Sequence, residues 1–369
     1  MISRRRFLGR SGVMLAGAAS ATLIHGHEDH GPIVTNWFMP DEGAEHERTW
    51  MAFATDEAIW GPELVPEVQR NLALIANTIV RYEPVTMLVR PQDAATAREL
   101  AEPAVELVPW PLNDLWMRDT GPLFVLSDRG GRGAVDFNFN GWGGKQVHSA
   151  DARVATFVAR RSGTPLLTTA LVLEGGGIEV DGEGTAILTE SCVLNANRNP
   201  GWSKDEVSDE LSELLGLDNF IWLPGIRGED ITDGHVDFYA RFAGPGTVVA
   251  GYEPDPSAFD HEVTERHLAI LRHTTGRHGQ PLDVVVLEAP ATLRQNAAPG
   301  EFAAGYLGYY VCNGAVLMQE FGDSRADSAA QATLQQLYPD RRVIALNVDG
   351  IAAGGGSIHC ATQQQPKAL

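Results

Sequence analysis

A cysteine near the C-terminal end of the chain has the setting of a reactive thiol. Cys360 follows the glycine run 354–356 and precedes the polar stretch 362–365. Glycines free the backbone to present a neighbouring side chain to a ligand, and a thiolate is a strong nucleophile. Cys360 is therefore the candidate nucleophile, with a purely structural cysteine as the alternative. Three cysteines are too few for a disulfide framework. Cys192 and Cys312 lie in apolar runs, so we predict that they are buried strand thiols.

Acid and base groups occur in three further segments. Asp119 precedes a Thr-Gly-Pro turn, Glu174 precedes three glycines, and a single valine separates His235 from Asp237. If the last segment is extended, residues two apart project to the same face, so one strand edge would present His235 and Asp237 to one ligand. The alternatives are a turn aspartate at position 119, a solvated loop glutamate at 174 and an exposed strand face at 235–237.

Together these residue types indicate covalent chemistry on a cation. A positioned thiol with a nearby imidazole is typical of nucleophilic catalysis. Paired carboxylates can accept the N–H donors of a planar guanidinium in bidentate fashion. The residues therefore favour a small cationic guanidino substrate, provided that the segments meet in the fold.

The net charge of the chain restricts its partners. The 369 residues carry a formal charge of −20, and 44% of them are apolar, which is enough for a large globular core. Nucleic acid binds basic faces and is therefore disfavoured as a partner, whereas a cationic substrate is attracted to an acidic surface. Simple solubility is the alternative explanation of the charge.

The N-terminal residues have the features of an export signal. Arg4-Arg5-Arg6 begins the charged part, an apolar run starts at Val13, and Ala19-Ser20-Ala21 has the small-x-small cleavage pattern. We predict a twin-arginine signal peptide at 1–21, a flexible segment at 22–36 and a single catalytic domain at 37–369. The apolar run is shorter than the ~20 residues that cross a bilayer, so we expect no stable membrane anchor after cleavage. The expected location is periplasmic, cell-wall or extracellular.

Three histidines follow this predicted signal. His25, His27 and His30 could hold a divalent metal ion or form part of a solvated tail. They lack the His-Glu-x-x-His spacing of a helical zinc site, so we predict a solvated tail and no metal site.

Apolar patterns predict a mixed α/β fold, because short apolar runs alternate with segments of helical spacing. The predicted strands are 84–89, 122–126, 134–139, 186–189, 247–250, 284–287, 315–319 and 343–346. The predicted helices are 66–81, 94–101, 148–161, 204–215, 261–274 and 328–338. The histidines at 261, 267, 273 and 278 are expected at the surface.

A series of short motifs runs along nearly all of the chain from position 39 to 366. They are Met39-Pro40, Thr49-Trp50-Met51, Trp116-x-Arg118-Asp119-x-Gly121-Pro122, Trp142-Gly143-Gly144-Lys145, Glu174-Gly175-Gly176 with Asp181-Gly182, Thr189-Glu190, Asn195-x-Asn197-Arg198-Asn199-Pro200, Thr232-Asp233-Gly234-His235-Val236-Asp237, Phe321-Gly322-Asp323 and Gly354-Gly355-Gly356-Ser357-Ile358-His359-Cys360. In this order the motifs resemble the agmatine deiminase and bacterial peptidylarginine deiminase family of guanidine-modifying enzymes. The resemblance implies a pentein fold, a five-bladed α/β propeller of ββαβ-like units with approximate fivefold symmetry, and it implies no metal or organic cofactor.

The resemblance also implies a role for each site residue. Cys360 would be the nucleophile, His235 the proton shuttle, and Asp119 and Asp237 the groups that hold the guanidinium. Glu174 would be a further carboxylate that orients the substrate or His235, and Trp116 would form part of the pocket wall. The reaction would be hydrolytic removal of one guanidinium nitrogen through a covalent thiouronium. Either His235 or the charge of the substrate must then favour the thiolate, because a free thiol with a pKa near ~8.5 is mostly protonated at neutral pH.

The substrate suggested by the resemblance is agmatine, which would give N-carbamoylputrescine and ammonia. Three departures weaken this assignment: Ala52-Phe53-Ala54 stands where many agmatine deiminases have a Trp-Pro ending, Phe238 follows Asp237 where asparagine is common, and Ser357 replaces a frequent asparagine. The export signal also fits poorly with cytoplasmic polyamine synthesis. An exported deiminase of peptidyl-arginine or another guanidino compound is the main alternative, and a protein that binds guanidino compounds without turnover is a lesser one. The sequence does not indicate an oligomeric state.

Overall fold

The computed structural model describes residues 36–294 and 302–369. The predicted signal peptide and the three N-terminal histidines lie outside these residues, as does nearly all of the segment 22–36. Within the described ranges, no helix combines the length and the apolar character that a membrane span requires.

Short strands and helices alternate along the described chain. The strands are β1 (Trp37–Phe38), β2 (His46–Phe53), β3 (Val85–Val89), β4 (Glu106–Pro109), β5 (Leu123–Ser127), β6 (Arg132–Asp136), β7 (Leu166–Thr168), β8 (Ile178–Val180), β9 (Thr185–Thr189), β10 (Asn219–Leu223), β11 (Ala240–Phe242), β12 (Thr247–Tyr252), β13 (Asp283–Glu288), β14 (Tyr310–Cys312), β15 (Ala315–Gln319), β16 (Arg342–Leu346) and β17 (Thr362–Pro366). The helices are α1 (Glu57–Ile79), α2 (Ala94–Leu100), α3 (Met117–Thr120), α4 (Gly141–Gly144), α5 (Val154–Arg161), α6 (Glu190–Val193), α7 (Lys204–Leu215), α8 (His261–His273), α9 (Ser324–Leu337) and α10 (Asp349–Ala352).

The strands of the described residues form five small sheets, in which one structural unit recurs. Their orders are β17-β2-β3-β4, β1-β5-β6-β7, β10-β9-β8, β11-β12-β13 and β14-β15-β16. In each unit the first two strands pair antiparallel, and the third strand pairs parallel to the second. A parallel pair needs a crossover, and a helix supplies it each time: α1, α5, α7, α8 or α9. The α/β fold of ββαβ units expected from the sequence is therefore confirmed, and the C-terminal β17 supplies the first strand of the unit that contains β2.

Helix α7 illustrates how the sequence builds a crossover. Ser203 and Glu206 form a reciprocal capping box at its start, and Gly216 ends it with a left-handed backbone at φ 68°. Val207 and Leu211 lie four residues apart and are fully buried. They pack with apolar residues of β8 and β9, so one face of the helix closes the core of its unit.

The predicted elements with strong apolar patterns are present, with shifted ends. Strands β3, β5, β9 and β15 are buried along their whole length, which is why their sequences are mostly apolar. Two sequence predictions are wrong. Cys192 lies in α6 and not in a strand, and His267 is only 1% exposed because α8 packs it under Tyr239 and against the backbone of Gly225.

Candidate active site

Four of the five units present a predicted site residue just before their first strand. Asp119 lies in α3 ahead of β5, Glu174 ahead of β8, His235 ahead of β11, and Cys360 ahead of β17. Asp119, His235 and Cys360 line one cavity of about 840 Å³, and Glu174 lies directly behind His235. The structure thus brings together side chains that are separated by up to 241 positions in the sequence.

The Cys360 thiol lies at the inner end of this cavity. Its Sγ is 3.2 Å from Ser357 Oγ and 3.8 Å from Asp237 Oδ2. Burial raises the pKa of the Cys360 thiol above its ordinary value, and the negative charges of Asp237 and Asp119 raise it further. In the empty cavity the thiol form is therefore favoured.

The glycine run before Cys360 allows close packing. A Cβ at Gly354 would overlap the ring of Trp60, and a Cβ at Gly356 would overlap the ring of Trp116. We expected the glycines to make the loop before Cys360 flexible. Instead, they let the backbone pass directly against two tryptophans.

Trp116 forms part of the cavity wall, as the resemblance implies. Its ring centroid lies 5.7 Å from that of Trp60, and both indoles donate hydrogen bonds to the buried Asp114, at 3.1 and 2.9 Å. Gln146 donates a further hydrogen bond to the same carboxylate at 2.9 Å. One acceptor therefore fixes two aromatic walls, although burial raises the pKa of Asp114.

His235 is held by carboxylates on two sides. Its Nε2 lies 3.3 Å from Glu174 Oε2, and its Nδ1 lies 3.9 Å from Asp119 Oδ1. Burial alone would lower the pKa of His235, but the Asp119 charge and hydrogen bonding to Cys192 and Glu174 raise it well above its usual value. The raised pKa favours the imidazolium form of His235, which can donate a proton.

Glu174 is fully buried and paired with Arg198. The Arg198 Nε lies 2.9 Å from both oxygens of Glu174. Burial opposes ionisation of Glu174, but the hydrogen bond from His235 and the charge of Arg198 outweigh it, so the pKa of Glu174 is lowered. Glu174 therefore orients His235 from behind, and the alternative of a solvated loop glutamate is wrong.

Asp119 is fixed by two donors. Trp142 Nε1 donates to Oδ2 at 2.9 Å, and the backbone N–H of Gly176 donates to Oδ1 at 3.0 Å. Trp142 has a left-handed backbone, with φ 54°, which is rare outside glycine and aims its indole at Asp119. Burial raises the pKa of Asp119, while the charge of His235 opposes this effect.

Asp237 is the second carboxylate beside the thiol. Its Oδ2 accepts from His359 Nδ1 at 2.8 Å, whereas its Oδ1 is buried and has no hydrogen-bond partner among the described residues. Burial opposes ionisation, but the hydrogen bond and charge of His359 lower the pKa of Asp237. An ionised carboxylate with a free oxygen suits a cationic donor.

Backbone conformation differs from our expectation around His235 and Asp237. Residues Val236–Phe238 form a 3₁₀ turn and not an extended strand edge, so the two side chains converge through the turn. The glycines after Glu174 make room for them. A Cβ at Gly176 would lie 2.5 Å from His235 Nδ1, 3.0 Å from Asp237 Oδ2 and 3.1 Å from Asp119 Oδ1.

The outer part of the cavity is acidic and partly apolar. Glu229, Asp230 and Asp260 line it. Burial is the main cause of the raised pKa of Tyr239, and the negative charges of these three residues raise it further. Ile231 and Phe259 also line it and are 39% and 63% exposed. This mouth suits a ligand that carries positive charge beyond its reacting group.

Glu174, Cys192 and His235 form one group with the donor types of a metal site. Their ligand atoms lie within 4.8 Å of one another. Arg198 already supplies a cation to both oxygens of Glu174, so the charge and the acceptor capacity of this carboxylate are taken up. The arrangement therefore favours an ion-pair network over a bound metal.

Several residues around the site were not predicted from the sequence. Ser357 and His359 lie in the motif that ends at Cys360, and Arg198 lies in the Asn-x-Asn motif. Their positions in these motifs could have identified them as site residues. Glu42 and Asp114 lie outside them and had no such signal. Lys145, in the Trp-Gly-Gly-Lys motif, pairs with Asp233 at 2.8 Å and lines the cavity.

Several known proteins are similar to this chain in sequence and fold over nearly their whole lengths. A Streptomyces coelicolor protein provisionally named an agmatine deiminase is 46% identical over 337 residues, which cover 89% of this chain and 98% of that protein. An agmatine deiminase of Stutzerimonas stutzeri is 36% identical over 358 residues, covering 91% and 97% of the two chains. The structure of the Enterococcus faecalis agmatine deiminase superposes with a TM-score of 0.84 at 28% identity, covering 90% of this chain and 97% of that one.

The family match extends from residue 38 to residue 366. This range includes all of the site residues described above, from Trp116 to Cys360. It also includes every helix and, except for Trp37 at the start of β1, every strand of the described residues. The chain therefore belongs to the Porphyromonas-type peptidyl-arginine deiminase family, and its five ββαβ units form the pentein fold.

Proposed function

We propose that this protein is a guanidine deiminase that hydrolyses agmatine to N-carbamoylputrescine and ammonia. The observation that carries the proposal is one cavity in which the Cys360 thiol lies 3.8 Å from Asp237 and shares the lining with Asp119 and His235. A protein that only bound guanidino compounds would need the carboxylates but neither the thiol nor the imidazolium. The similarity of the chain to proteins named agmatine deiminases also supports this substrate.

The carboxylates orient the substrate. Asp119 and Asp237 accept N–H donors of the guanidinium, and the free Oδ1 of Asp237 gains the partner that it lacks in the empty site. The guanidinium carbon then faces Cys360 Sγ. Holding the reacting atoms in this way converts a bimolecular step into an effectively unimolecular one.

The bound cation also generates the thiolate. Asp237 and Asp119 oppose ionisation of Cys360 when the cavity is empty, and a guanidinium between them offsets their charge. His235 is already protonated in the free protein, so it does not serve as the base for the thiol. Of the two origins of the thiolate that the sequence left open, the structure supports the substrate charge. The Cys360 proton leaves to solvent in the cavity.

His235 then acts first as an acid and afterwards as a base. Attack of the thiolate on the guanidinium carbon forms a C–S bond and a neutral tetrahedral adduct. His235 donates its proton to one nitrogen, the C–N bond breaks, and ammonia leaves a cationic thiouronium on Cys360. Neutral His235 takes a proton from water, whose oxygen attacks the same carbon. Collapse of this second adduct breaks the C–S bond, releases the ureido product and returns the hydroxyl proton to Cys360.

The cavity mouth favours a substrate with a second positive charge. The terminal ammonium of agmatine would lie among Glu229, Asp230 and Asp260, where the carboxylate of free arginine would meet like charge. Solvent weakens this repulsion because Glu229 and Asp230 are exposed, but its sign still makes free arginine the poorer substrate.

Arginine within a peptide is the second candidate substrate. The exposed Phe259 and Ile231 at the mouth would contact a chain that continues beyond the guanidino group, and a peptide bond removes the carboxylate of arginine. Export through a twin-arginine signal at 1–21 remains our prediction, and it suits such an extracellular substrate.

A side-by-side product assay tests the proposal. The purified chain is incubated with agmatine, free arginine and a blocked arginyl peptide, and ammonia and ureido product are both measured. We expect turnover of agmatine, and loss of at least a thousandfold in C360S with little change in C312S, whose buried thiol lies outside the cavity. Turnover of the peptide alone would replace the substrate and retain the chemistry. Full activity of C360S would refute the proposal.

A further inference from the structure

His359, the neighbour of the nucleophile, lies between two carboxylates beneath the cavity. Its Nδ1 is 2.8 Å from Asp237 Oδ2, and its Nε2 is 2.9 Å from Glu42 Oε2. The imidazole is only 1% exposed, so water does not satisfy either nitrogen. Neither the proposed mechanism nor the motif roles use this side chain.

The two contacts determine the protonation of the ring. A carboxylate oxygen only accepts hydrogen bonds, so both ring nitrogens of His359 must donate, and a ring with two N–H groups is an imidazolium. Burial opposes ionisation of Glu42, but the charge of Arg241 leads the groups that lower the pKa of Glu42, so this carboxylate is an acceptor independently of His359. A neutral His359 would leave one buried carboxylate oxygen facing a lone pair.

Charged groups from every neighbouring segment fit this arrangement. Glu42 Oε2 accepts from Arg118 at 2.8 Å, whereas its Oε1 pairs with Arg241 at 3.0 Å and accepts from the backbone N–H of Val311 at 2.8 Å. Glu179 lies 3.8 Å from Nε2, and Cys360 is the next residue in the chain. Three cations and three carboxylates thus surround one another, and Glu42 is anchored on the side away from the cavity.

The consequence for Asp237 is geometric. Because His359 ties down Oδ2, the carboxylate cannot rotate to exchange its oxygens, and Oδ1 alone remains without a described partner. The proposed mechanism assigns this unpartnered oxygen to a guanidinium N–H.

We propose that His359 is a positioning residue that, as an imidazolium anchored on Glu42, fixes the Asp237 carboxylate in the orientation that binds the guanidino group. The inference rests on the proposed function for the identity of the ligand. It adds a residue that acts through Asp237 and does not touch the substrate.

The protonation state can be measured in the unmodified protein. We label the protein with ¹⁵N-histidine and assign the His359 ring in its NMR spectrum by the peak that is lost in H359Q. We expect this ring to show two protonated nitrogens at pH 7.5. A neutral tautomer, with one unprotonated ring nitrogen, would overturn the inference. This measurement is independent of turnover.

A double-mutant cycle tests the action through Asp237. Agmatine affinity is measured by calorimetry in the inactive C360S background, with H359Q, D237N and both changes together. We expect H359Q to weaken binding about tenfold when Asp237 is present and less than twofold when it is asparagine, because the positioned group has then been replaced. Equal losses in both backgrounds would show a merely structural role and overturn the inference.

A matched control and the wild-type activity separate the possible failures. His46 is another buried histidine paired with a carboxylate, Glu83, at 3.0 Å, and H46Q should lower the melting temperature without changing agmatine affinity. An affinity loss in H46Q equal to that in H359Q would count against the inference. Absence of turnover by the wild-type chain would refute the proposed function, and the state of the His359 ring would still be decided by the labelled spectrum.

Discussion

The Cys360 thiol has a chemical environment that free cysteine does not have. Burial disfavours its ionised form, and Asp237 at 3.8 Å adds a negative charge on the same side. The carboxylates that bind the cation therefore also suppress the thiolate until a cation arrives. A low thiolate fraction should slow the reaction of Cys360 with neutral electrophiles.

Alkylation of Cys360 should reveal this coupling. Because its thiol pKa is raised, the thiolate fraction is low at pH 7 and grows only as pH rises beyond the range of an ordinary thiol near ~8.5. We expect neutral iodoacetamide to label Cys360 more slowly than free cysteine at pH 7 by over about tenfold, a factor that corresponds to one pKa unit. Mass spectrometry of the Cys360 peptide over time gives the rate.

Removal of one charge provides the control for this experiment. D237N takes away the nearest negative charge, so the pKa of Cys360 should fall and labelling at fixed pH should accelerate. A wild-type rate that levels off below pH 8 would contradict the raised pKa.

At the level of elements, glycine segments decide how closely the loops approach. Gly176 lies between His235, Asp237 and Asp119, and Gly356 lies against Trp116. In both segments the missing Cβ leaves room for a functional side chain, so these glycines are required by contact and not by flexibility.

Gly356 offers a direct test of this explanation. In G356A the new methyl would overlap the ring of Trp116, so the wall must move. We expect at least a tenfold loss in kcat/KM for agmatine and a lower melting temperature. Steady-state kinetics and thermal unfolding measure the two effects.

Gly305 is the matched control for this substitution. Gly305 also lines the cavity, but its φ is −154° and a Cβ there would meet nothing within 4 Å, so G305A should keep the wild-type melting temperature. Similar losses in both variants would argue that any glycine change is harmful and would contradict the contact explanation.

At the level of the whole molecule, a buried ionic cluster joins the five units beneath the site. Arg241 of β11 pairs with Glu179 of β8 at 2.8 Å and with Glu42, before β2, at 3.0 Å. Arg118 of α3 also pairs with Glu42, and Arg241 donates to the backbone carbonyl of Tyr309, before β14. Each unit therefore contributes one group to this cluster.

Loss of one central charge should destabilise the fold strongly. R241M leaves Glu42 and Glu179 short of a partner, and breaking a buried ion pair in this way costs about 3–5 kcal/mol. Urea unfolding followed by tryptophan fluorescence should show a decrease of this size. The exposed Arg266 is the control, and R266M should change the free energy of unfolding by less than about 0.5 kcal/mol. Equal stability of both variants would refute a structural role for the cluster.

The overall charge should influence the rate of substrate capture. With a net charge of −20 and an acidic cavity mouth, the protein should attract the agmatine dication, and salt should screen this attraction. We expect kcat/KM for agmatine to fall several-fold between roughly 20 and 500 mM NaCl, with a weaker decrease for the monocation butylguanidine. Measurements of both compounds across this range provide the test, and identical salt dependence would contradict charge steering.

The five units also explain which parts of the fold were predictable. The central strands β3, β5, β9 and β15 are mostly apolar, and helices such as α7 carry a clear apolar face, so local patterns identified them. Strand β17 was missed because its sequence, Thr-Gln-Gln-Gln-Pro, is polar, although it is buried and pairs with β2. Its buried glutamines find polar partners: Arg118 of another unit donates to Gln364, and Trp50 of β2, in the same unit, donates to Gln365. We detected no sequence repeat that corresponds to the five structural units, because each unit fills its core with different side chains.

By itself, the sequence determined the chemical inventory: a thiol, an imidazole, three carboxylates and a tryptophan in motifs whose residue types favour a guanidino substrate. Tertiary structure alone decided their charge states and partners, since the raised pKa of Cys360, the imidazolium of His235 and the free oxygen of Asp237 depend on burial and on groups far away in the chain. Glu42 is the clearest case, because nothing near it in the sequence indicates that Arg118, Arg241 and His359 converge on its carboxylate. Electrostatic interactions act through space, so they become defined only when the five units have closed around the site.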